Sequence, residues 1–318
     1  MAKKIVLLWL LTRLALFLTV GSIAAWNQGD VHFYLEIAST GYEPGFLTNC
    51  GWCPGFPLLL QLAPVTLSNA LLINNLILLA ALFMVHKLNR LDHDEDTAWN
   101  GLLLLLAFPS AYFLAAPLSE STFLFFSVGA FWAARKKHWP LAGLLGGAAT
   151  LTRVQGLLLL PALLLEKPTK KQALYLAAIP IGQLLFNLHL QTTTGDFWAY
   201  FHVQQRLERH ISGWNLLKNG HGLAGPHWVG LAYAAIALLL LKITWKQLRS
   251  SEKFYCLASL FLPFYHSFWV STGRLMIVLT PLFARTPRKA SPWILATLSI
   301  LQLILAGLYS LANPYVIY

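Results

Sequence analysis

The sequence predicts an all-α integral membrane protein that crosses the bilayer many times. Of its 318 residues, 57% are hydrophobic and only 11% are charged, whereas a soluble domain carries about 25% charged residues. Apolar runs near the roughly 20 residues that span a bilayer recur from end to end. They lack the alternation of a barrel strand, and a backbone in lipid must satisfy its own hydrogen bonds, so these runs are expected to be helices.

The apolar segments give a bundle of about 10–11 membrane helices in one transmembrane domain over residues 1–318. Several segments are shorter than about 20 residues, so some helices are expected to be tilted or re-entrant. The predicted spans are 5–25, 57–85, 99–116, 120–134, 139–152, 154–166, 172–190, 227–241, 254–271, 274–285 and 292–312. No polar stretch is long enough for a separate catalytic domain, so a site must be built from outer-face loops and helix ends.

The basic residues predict the orientation of the chain. Most of the 23 Lys and Arg lie in short clusters between apolar runs, such as Lys3–Lys4 and Arg135–Lys137. Placing the N-terminus in the cytoplasm puts these clusters on the cytoplasmic side, as the positive-inside rule requires. Because the net charge of +11 is divided in this way, it does not indicate a nucleic-acid partner.

The same topology gathers four ionisable residues at the outer face. The apolar stretch 139–165 has basic clusters on both sides, so it is expected to be a hairpin with Arg153 at its outer tip. Arg274 interrupts another apolar run in the same way. Glu120 lies between two spans on the outer side, and Asp30 lies in an outer loop, 26–56, that has no Lys or Arg.

Ionisable groups at membrane depth are costly and usually face the protein interior or a watery cavity. Two carboxylates and two arginines suit an anionic substrate that reacts at a hydroxyl, such as a polyprenyl-phosphate-linked sugar. A carboxylate can take the hydroxyl proton as general base, and arginine can hold the departing phosphate by charge-assisted bonds. That scheme needs no metal and no other cofactor. The structural alternative is that each charge pairs with another and fixes helix packing.

Three further residues are candidates for substrate contacts. His32 and Glu36 follow Asp30 in the same outer loop. Arg206 lies in the outer loop 191–226, where a helix drawn from 196 to 211 would be amphipathic. Its basic side could meet a lipid phosphate or an acceptor, or the helix could simply lie along the membrane surface.

Cys50 and Cys53 form a lone CxxC on the outer side. A zinc site would need a second pair or regularly spaced histidines, and the sequence shows neither. The spacing leaves two alternatives open, a local disulfide or two free thiols.

Ordered blocks along the chain resemble a known family. They are DVHFYLEIASTGY at 30–42, PGFP at 54–57, FPSAYFL at 108–114, SESTF at 119–123, LTRVQG at 151–156, GDF at 195–197, and Arg274 with PLF at 281–283. Over roughly residues 5–285, in this order, they resemble the PIG-V-like mannosyltransferases, which have the GT-C glycosyltransferase fold.

The resemblance implies an inverting, metal-independent transferase that acts at the extracytoplasmic face of the membrane, which is the cell membrane if the source is a prokaryote. Its donor would be a polyprenyl-phosphate-linked sugar, with mannose as the sugar, and its acceptor a hydroxyl of a lipid, a glycan or a protein. The acidic residue of the first outer loop, here Asp30, would be the catalytic base. Glu120 and Arg153 match family positions by motif, and we expect them, with Arg274, to contact substrate.

Two other classes of function are compatible with these residues. A transporter or flippase for a lipid-linked saccharide would also need charges in the membrane, but it often shows internal repeats and helices broken near the midplane. The sequence shows no clear repeat, and its charges gather at one face. A scaffold subunit would keep the fold without activity, and Asp30 argues against it only weakly.

Overall fold

The chain is described by a computed structural model over residues 1–45, 49–206, 227–265, 271–284 and 291–311. Within these ranges all regular structure is helical and no residue is in a strand. The prediction of an all-α chain is therefore confirmed for the described residues.

Sixteen α-helices and four 3-10 turns make up the described part of the chain. The α-helices are α1 (Ala2–Val20), α2 (Val31–Thr40), α3 (Gly55–Leu60), α4 (Leu67–Asn89), α5 (Glu95–Ala107), α6 (Glu120–Arg135), α7 (Trp139–Thr152), α8 (Leu159–Leu164), α9 (Lys170–Tyr175), α10 (Ala178–Thr194), α11 (Ala199–Gln204), α12 (His227–Thr244), α13 (Ser250–Tyr265), α14 (Thr272–Ile277), α15 (Pro281–Ala284) and α16 (Pro292–Leu311). The 3-10 turns are Ala24–Trp26, Asn49–Gly51, Pro109–Leu114 and Val154–Leu158.

Several predicted spans are interrupted, and proline or capping residues account for two of the breaks. The expected single helix 57–85 is wrong, because α3 ends at Leu60 and α4 starts at Leu67. The Thr66 hydroxyl caps α4 by accepting a hydrogen bond from the Asn69 N–H at 3.2 Å. The expected helix 99–116 is also interrupted. Phe108 is extended before Pro109, as the residue before a proline prefers, so α5 ends at Ala107.

Three described helical segments are long and apolar enough to cross a membrane: Leu67–Asn89, Lys170–Thr194 and Pro292–Leu311. The second consists of α9 and α10 in succession. The remaining predicted spans are represented by shorter helices within the described ranges; for example, 274–285 is divided between α14 and α15.

The centre of the bundle is a row of closely packed helices. α6 packs against both α4 and α7, and α7 packs against α10. Glycines allow the close contact between α7 and α10, since a Cβ at Gly147 would lie 2.6 Å from the carbonyl oxygen of Ala178. A Cβ at Gly182 would lie 2.7 Å from the carbonyl oxygen of Gly147. Small residues of this kind let helix backbones approach each other, as is common between membrane helices.

Among the described residues, the basic loops around Arg90, Arg135 and Arg249 come together at one end of the bundle, which we call the basic end. Arg135 there pairs with Asp92. Arg249 donates to both carboxylate oxygens of Glu166, at 3.1 and 2.9 Å. α6 runs from this end to Glu120 over 16 residues, a rise of about 24 Å at 1.5 Å per residue. Glu120 therefore lies near the opposite end of the bundle.

Replacing Gly147 by Val should destabilise the bundle, because the new side chain would collide with the backbone of α10. Overpacking of this kind costs about 1–3 kcal/mol, which thermal unfolding in detergent, followed by tryptophan fluorescence, would show as a lower Tm. The control is Leu144→Val on the same helix, where the side chain is 66% exposed. Equal melting temperatures for the two variants would contradict the close α7–α10 contact.

Candidate active site

Four charged side chains meet at the end of the bundle opposite the basic end: Asp30, Glu120, Arg153 and Arg274. We call them the charge cluster. Arg274 Nη1 donates to Asp30 Oδ2 at 2.5 Å, and Arg274 Nε donates to Glu120 Oε1 at 2.5 Å. Arg153 Nη1 donates to the same Glu120 oxygen at 2.7 Å. The two acids and two bases form one continuous chain whose formal charges cancel.

Glu120 is the centre of the cluster. Its side chain is 0% exposed, and its Oε1 accepts hydrogen bonds from both arginines. Its Oε2 is buried and has no hydrogen-bond partner among the described residues. Glu120 is also the first residue of α6, where the partial positive charge of a helix N-terminus favours a carboxylate. Glu120 does not line the cavity described below, so we interpret it as a residue that positions the arginines rather than one that contacts substrate.

Asp30 stands at the start of α2 and is 6% exposed. The preceding Gly29 has a φ of 58°, a left-handed conformation that favours glycine. The Tyr309 hydroxyl of α16 donates to the carbonyl oxygen of Gln28 at 2.9 Å. α16 thereby holds the turn that places the Asp30 carboxylate next to Arg274.

Arg153 lies at the break between α7 and the 3-10 turn Val154–Leu158. Its backbone is extended, with φ −153° and ψ 137°, and its N–H still bonds to the carbonyl oxygen of Ala149. The turn then packs tightly onto α7, because a Cβ at Gly156 would lie 2.4 Å from the backbone nitrogen of Thr150. The predicted position of Arg153 at a helix break is confirmed by this geometry.

Arg274 is held by the short helix α14. A Cβ at Gly273 would lie 2.9 Å from the Tyr233 ring of α12 and 3.3 Å from Ser110 Cβ. Arg274 itself is 7% exposed, and its guanidinium carbon lies 5.7 Å from the centre of the Phe113 ring. The arginine is therefore packed between two elements that are distant in sequence.

Two neutral residues extend the charge cluster. The Tyr34 hydroxyl donates to Ser119 Oγ at 2.9 Å, and Ser119 Oγ also accepts from Arg153 Nη1 at 3.2 Å. Neither residue was among the predicted site residues. The available signals were their positions, since Tyr34 lies one helical turn after Asp30 and Ser119 directly precedes Glu120.

A cavity of about 230 Å³ opens beside the charge cluster. Three cluster residues line it, namely Asp30, Arg153 and Arg274, together with neighbouring polar and aromatic side chains. The other lining residues are Tyr34, Gly51, Trp52, Cys53, Ser119, Thr152, Val154, Gln155, Tyr200, Phe201, Gln204, Leu262, Ser271 and Leu275. The cavity thus places a carboxylate and two guanidinium groups on one continuous wall.

The other three predicted site residues do not line this cavity. His32 is exposed, and its Nδ1 lies 2.8 Å from the carbonyl oxygen of Gly29. Glu36 accepts a hydrogen bond from Asn49 at 3.3 Å. Arg206 is exposed and donates to the carbonyl oxygen of Gly45 at 3.3 Å.

The predicted amphipathic helix 196–211 is described only in part. The structure has α11 from Ala199 to Gln204, and residues 207–211 lie outside the described residues. Tyr200, Phe201 and Gln204 of α11 line the cavity. Gln204 Nε2 donates to the carbonyl oxygen of Gly51 at 2.6 Å, which joins this segment to the first loop.

Within the described ranges, no group of three His, Cys, Asp or Glu side chains could hold a metal ion. Cys50 and Cys53 are buried and not joined by a disulfide. Burial raises the pKa of the Cys53 thiol to about 12, against the opposing charge of Arg153. The thiol in the cavity wall is therefore protonated at neutral pH and is a poor nucleophile and a poor metal ligand.

Comparisons of the chain with models of known protein families, with characterised proteins and with solved structures found no match.

Replacing Glu120 by Gln should strongly destabilise the protein, because the buried Arg274 and the half-buried Arg153 would lose their shared counter-charge. Breaking a buried ion pair from one side costs about 3–5 kcal/mol, measurable as a lower Tm in detergent. Adding Arg153→Gln to this variant should recover part of the loss, since one uncompensated positive charge is removed.

The control for this experiment is Glu95→Gln. Glu95 pairs with Arg90 at 2.9 Å, but its side chain is 45% exposed, and exposed pairs contribute about 0–1 kcal/mol. Similar losses of stability for Glu120→Gln and Glu95→Gln would contradict a central role for Glu120 in the cluster.

Proposed function

We propose that this protein is a membrane glycosyltransferase that moves a sugar, mannose, from a polyprenyl-phosphate donor to an acceptor hydroxyl. The observation that carries the proposal is one cavity lined by Asp30, Arg153 and Arg274. It combines a carboxylate that can take a proton with guanidinium groups that can hold a phosphate. The ordered sequence blocks that resemble PIG-V-like mannosyltransferases support the choice of donor and sugar.

Exposed apolar side chains support a position in the membrane. On α1, five leucines (Leu7, Leu10, Leu11, Leu14 and Leu18) are each at least 50% exposed. On α16, Trp293 and Leu311 are each 83% exposed. Soluble monomers rarely expose continuous apolar faces of this size. Lipid is the environment that would cover these faces, in a chain that crosses the bilayer several times.

The two ends of the bundle support an orientation. The basic loops gather at the basic end, which the positive-inside rule assigns to the cytoplasm. The charge cluster lies at the other end of α6, about 24 Å from the basic end along the helix axis. The hydrocarbon core of a bilayer is about 30 Å thick, which is a similar length. In this orientation the cavity faces the extracytoplasmic side, near the level of lipid phosphates.

The proposed reaction uses the groups in the cavity as follows. The acceptor oxygen attacks the anomeric carbon of the donor sugar and forms the new glycosidic bond with inversion. The bond from that carbon to the phosphate oxygen breaks, and the electron pair leaves with polyprenyl phosphate. The acceptor proton passes to the Asp30 carboxylate.

Arg153 would stabilise the departing phosphate. Its two hydrogen bonds to described residues both leave from Nη1, and Nη2 and Nε suit the two-point contact that arginine makes with phosphate. Arg274 fixes the orientation of the Asp30 carboxylate through the 2.5 Å bond. The cavity volume of about 230 Å³ is smaller than the roughly 300–1,000 Å³ of sites for drug-sized ligands. It therefore suits a single sugar ring.

Replacing Asp30 by Asn should abolish most sugar transfer while the donor still binds. General-base catalysis contributes roughly 10²–10⁴-fold to rate, so we expect a loss of that size in kcat. The measurement is transfer from polyprenyl-phosphate-mannose to a membrane glycolipid extract, by purified protein in liposomes. Transfer by the wild type should persist when a chelator is present throughout.

The matched control is Glu43→Gln, which neutralises an exposed acid in the same loop. It should transfer sugar at the wild-type rate. Full activity of a folded Asp30→Asn variant would show that Asp30 is not the base. If the wild type transferred no sugar but moved a labelled lipid-linked saccharide across the bilayer, a transporter would replace the proposed transferase.

A further inference from the structure

A second cavity opens on the side of the bundle, between α2, α3, α7 and α10. Its volume is about 430 Å³, and its walls include Ile37, Pro57, Leu58, Leu151, Leu185 and Phe186. We call it the side groove. Among the described residues, no Asp, Glu, Lys or Arg lines it, whereas the cavity beside the charge cluster has three charged residues in its wall. The side groove therefore suits an apolar ligand.

Two of the polar side chains that line the side groove are bonded to the protein backbone. The Tyr42 hydroxyl donates to the carbonyl oxygen of Trp52 at 2.9 Å, and Gln61 Nε2 donates to the carbonyl oxygen of Ala38 at 3.1 Å. His189 is exposed, and the centre of its ring lies 5.7 Å from that of Tyr42. A ligand in the groove thus meets mainly aliphatic and aromatic surface, with one exposed imidazole.

The side groove opens on a face of α10 that lipid would cover. Leu185 lines the groove and is 55% exposed, so the groove is open to its surroundings. Residues three or four positions apart share one face of a helix, and the neighbours of Leu185 at this spacing, Ile181 and Leu188, are each 46% exposed. α10 belongs to the segment Lys170–Thr194, which is long and apolar enough to cross a membrane.

The side groove lies at the depth of lipid chains. Leu185 is about 14 Å from Thr194, the last residue of α10, at 1.5 Å per residue. Half of the hydrocarbon core of a bilayer is about 15 Å thick. In the proposed orientation, the groove therefore lies within the extracytoplasmic leaflet.

The side groove and the cavity beside the charge cluster are separated by one contact between α3 and α7. Cys53 and Thr152 line the cavity, whereas their neighbours Pro54 and Leu151 line the groove. A Cβ at Gly55 would lie 2.6 Å from Thr152 Oγ1 and 2.8 Å from the Thr152 backbone nitrogen. This contact leaves no room for a lipid chain between the two helices, so the two spaces take separate molecules.

We propose that the side groove binds an acyl chain of a bilayer phospholipid that takes no part in sugar transfer. The proposal depends on the position of the protein in a membrane and not on the proposed transferase activity. The bound chain would fill the space behind Pro54 and Leu151, and it would thereby support the cavity wall from the side opposite the charge cluster.

The test fills the side groove with a larger side chain from either wall, by Leu185→Trp or Leu58→Trp. Binding of dioleoyl phosphatidylcholine would be titrated by native mass spectrometry of the protein in detergent. We expect the wild type to retain one phospholipid and each variant to bind it about tenfold more weakly, as for the loss of about two buried CH₂ groups. Both leucines are more than half exposed, so the Tm of each variant should stay near that of the wild type.

The matched control is Leu184→Trp in α10. Leu184 is 47% exposed but does not line the side groove, so this variant should bind the phospholipid like the wild type. Phosphatidylglycerol with the same chains should bind within about twofold of phosphatidylcholine, because the described groove wall has no charged side chain to select a headgroup.

Three outcomes would overturn the proposal. The first is a wild type that retains no phospholipid, and the second is equal binding by Leu185→Trp, Leu58→Trp and Leu184→Trp. The third is displacement of phosphatidylcholine by polyprenyl phosphate at equal concentration, which would assign the groove to the sugar donor. Selective loss of binding in the two groove variants would support the proposal even if the wild type transferred no sugar, so the two proposals fail separately.

Discussion

The shared carboxylate oxygen of Glu120 is the contact on which the described site depends. Two arginines from distant parts of the chain approach the same buried oxygen, at 2.7 Å for Arg153 and 2.5 Å for Arg274. Without that negative charge the two guanidinium groups would repel each other, and Arg274 would keep only Asp30 to offset the cost of its burial. Glu120 thereby joins the end of α7 to α14 and, through Arg274, to Asp30 at the start of α2.

The neutrality of the charge cluster has a consequence for the proposed reaction. Each arginine is compensated by protein carboxylates, so the site can remain folded without substrate. A bound phosphate adds negative charge beside Asp30, and that charge favours the transfer of a proton to its carboxylate. The base would then act most effectively when the donor is in place.

Much of the site could be inferred from the positions of charges between apolar runs. Positive-inside reasoning assigned Asp30, Glu120, Arg153 and Arg274 to one face, and the structure brings all four within hydrogen-bond distance of a neighbour in the cluster. The sequence does not indicate which residues of the charge cluster contact each other. Nothing local indicates that Glu120 bridges the arginines from behind the cavity, because the partners lie 33 and 154 residues away.

The fold was predictable to a similar extent. The limits expected for α6 and α7 agree with the structure within one residue, since basic clusters and polar breaks mark their ends clearly. The prediction of a single helix over 57–85 is wrong, because the sequence stays hydrophobic through the break between α3 and α4. Only Pro64 and the Thr66 cap indicate that break. His32 and Glu36 were candidates through proximity to Asp30 in sequence, but the helix that starts there carries them away from the cavity.

The assignment of Arg153 to the donor phosphate and of Asp30 to the acceptor proton is tested most directly by a structure of the protein in a lipid nanodisc with a bound non-hydrolysable polyprenyl-phosphate-sugar analogue. We expect the phosphate to contact Arg153, the sugar ring to fill the cavity, and the anomeric carbon to face Asp30. A lipid phosphate bound elsewhere, with the charge cluster closed and the cavity empty, would contradict this assignment.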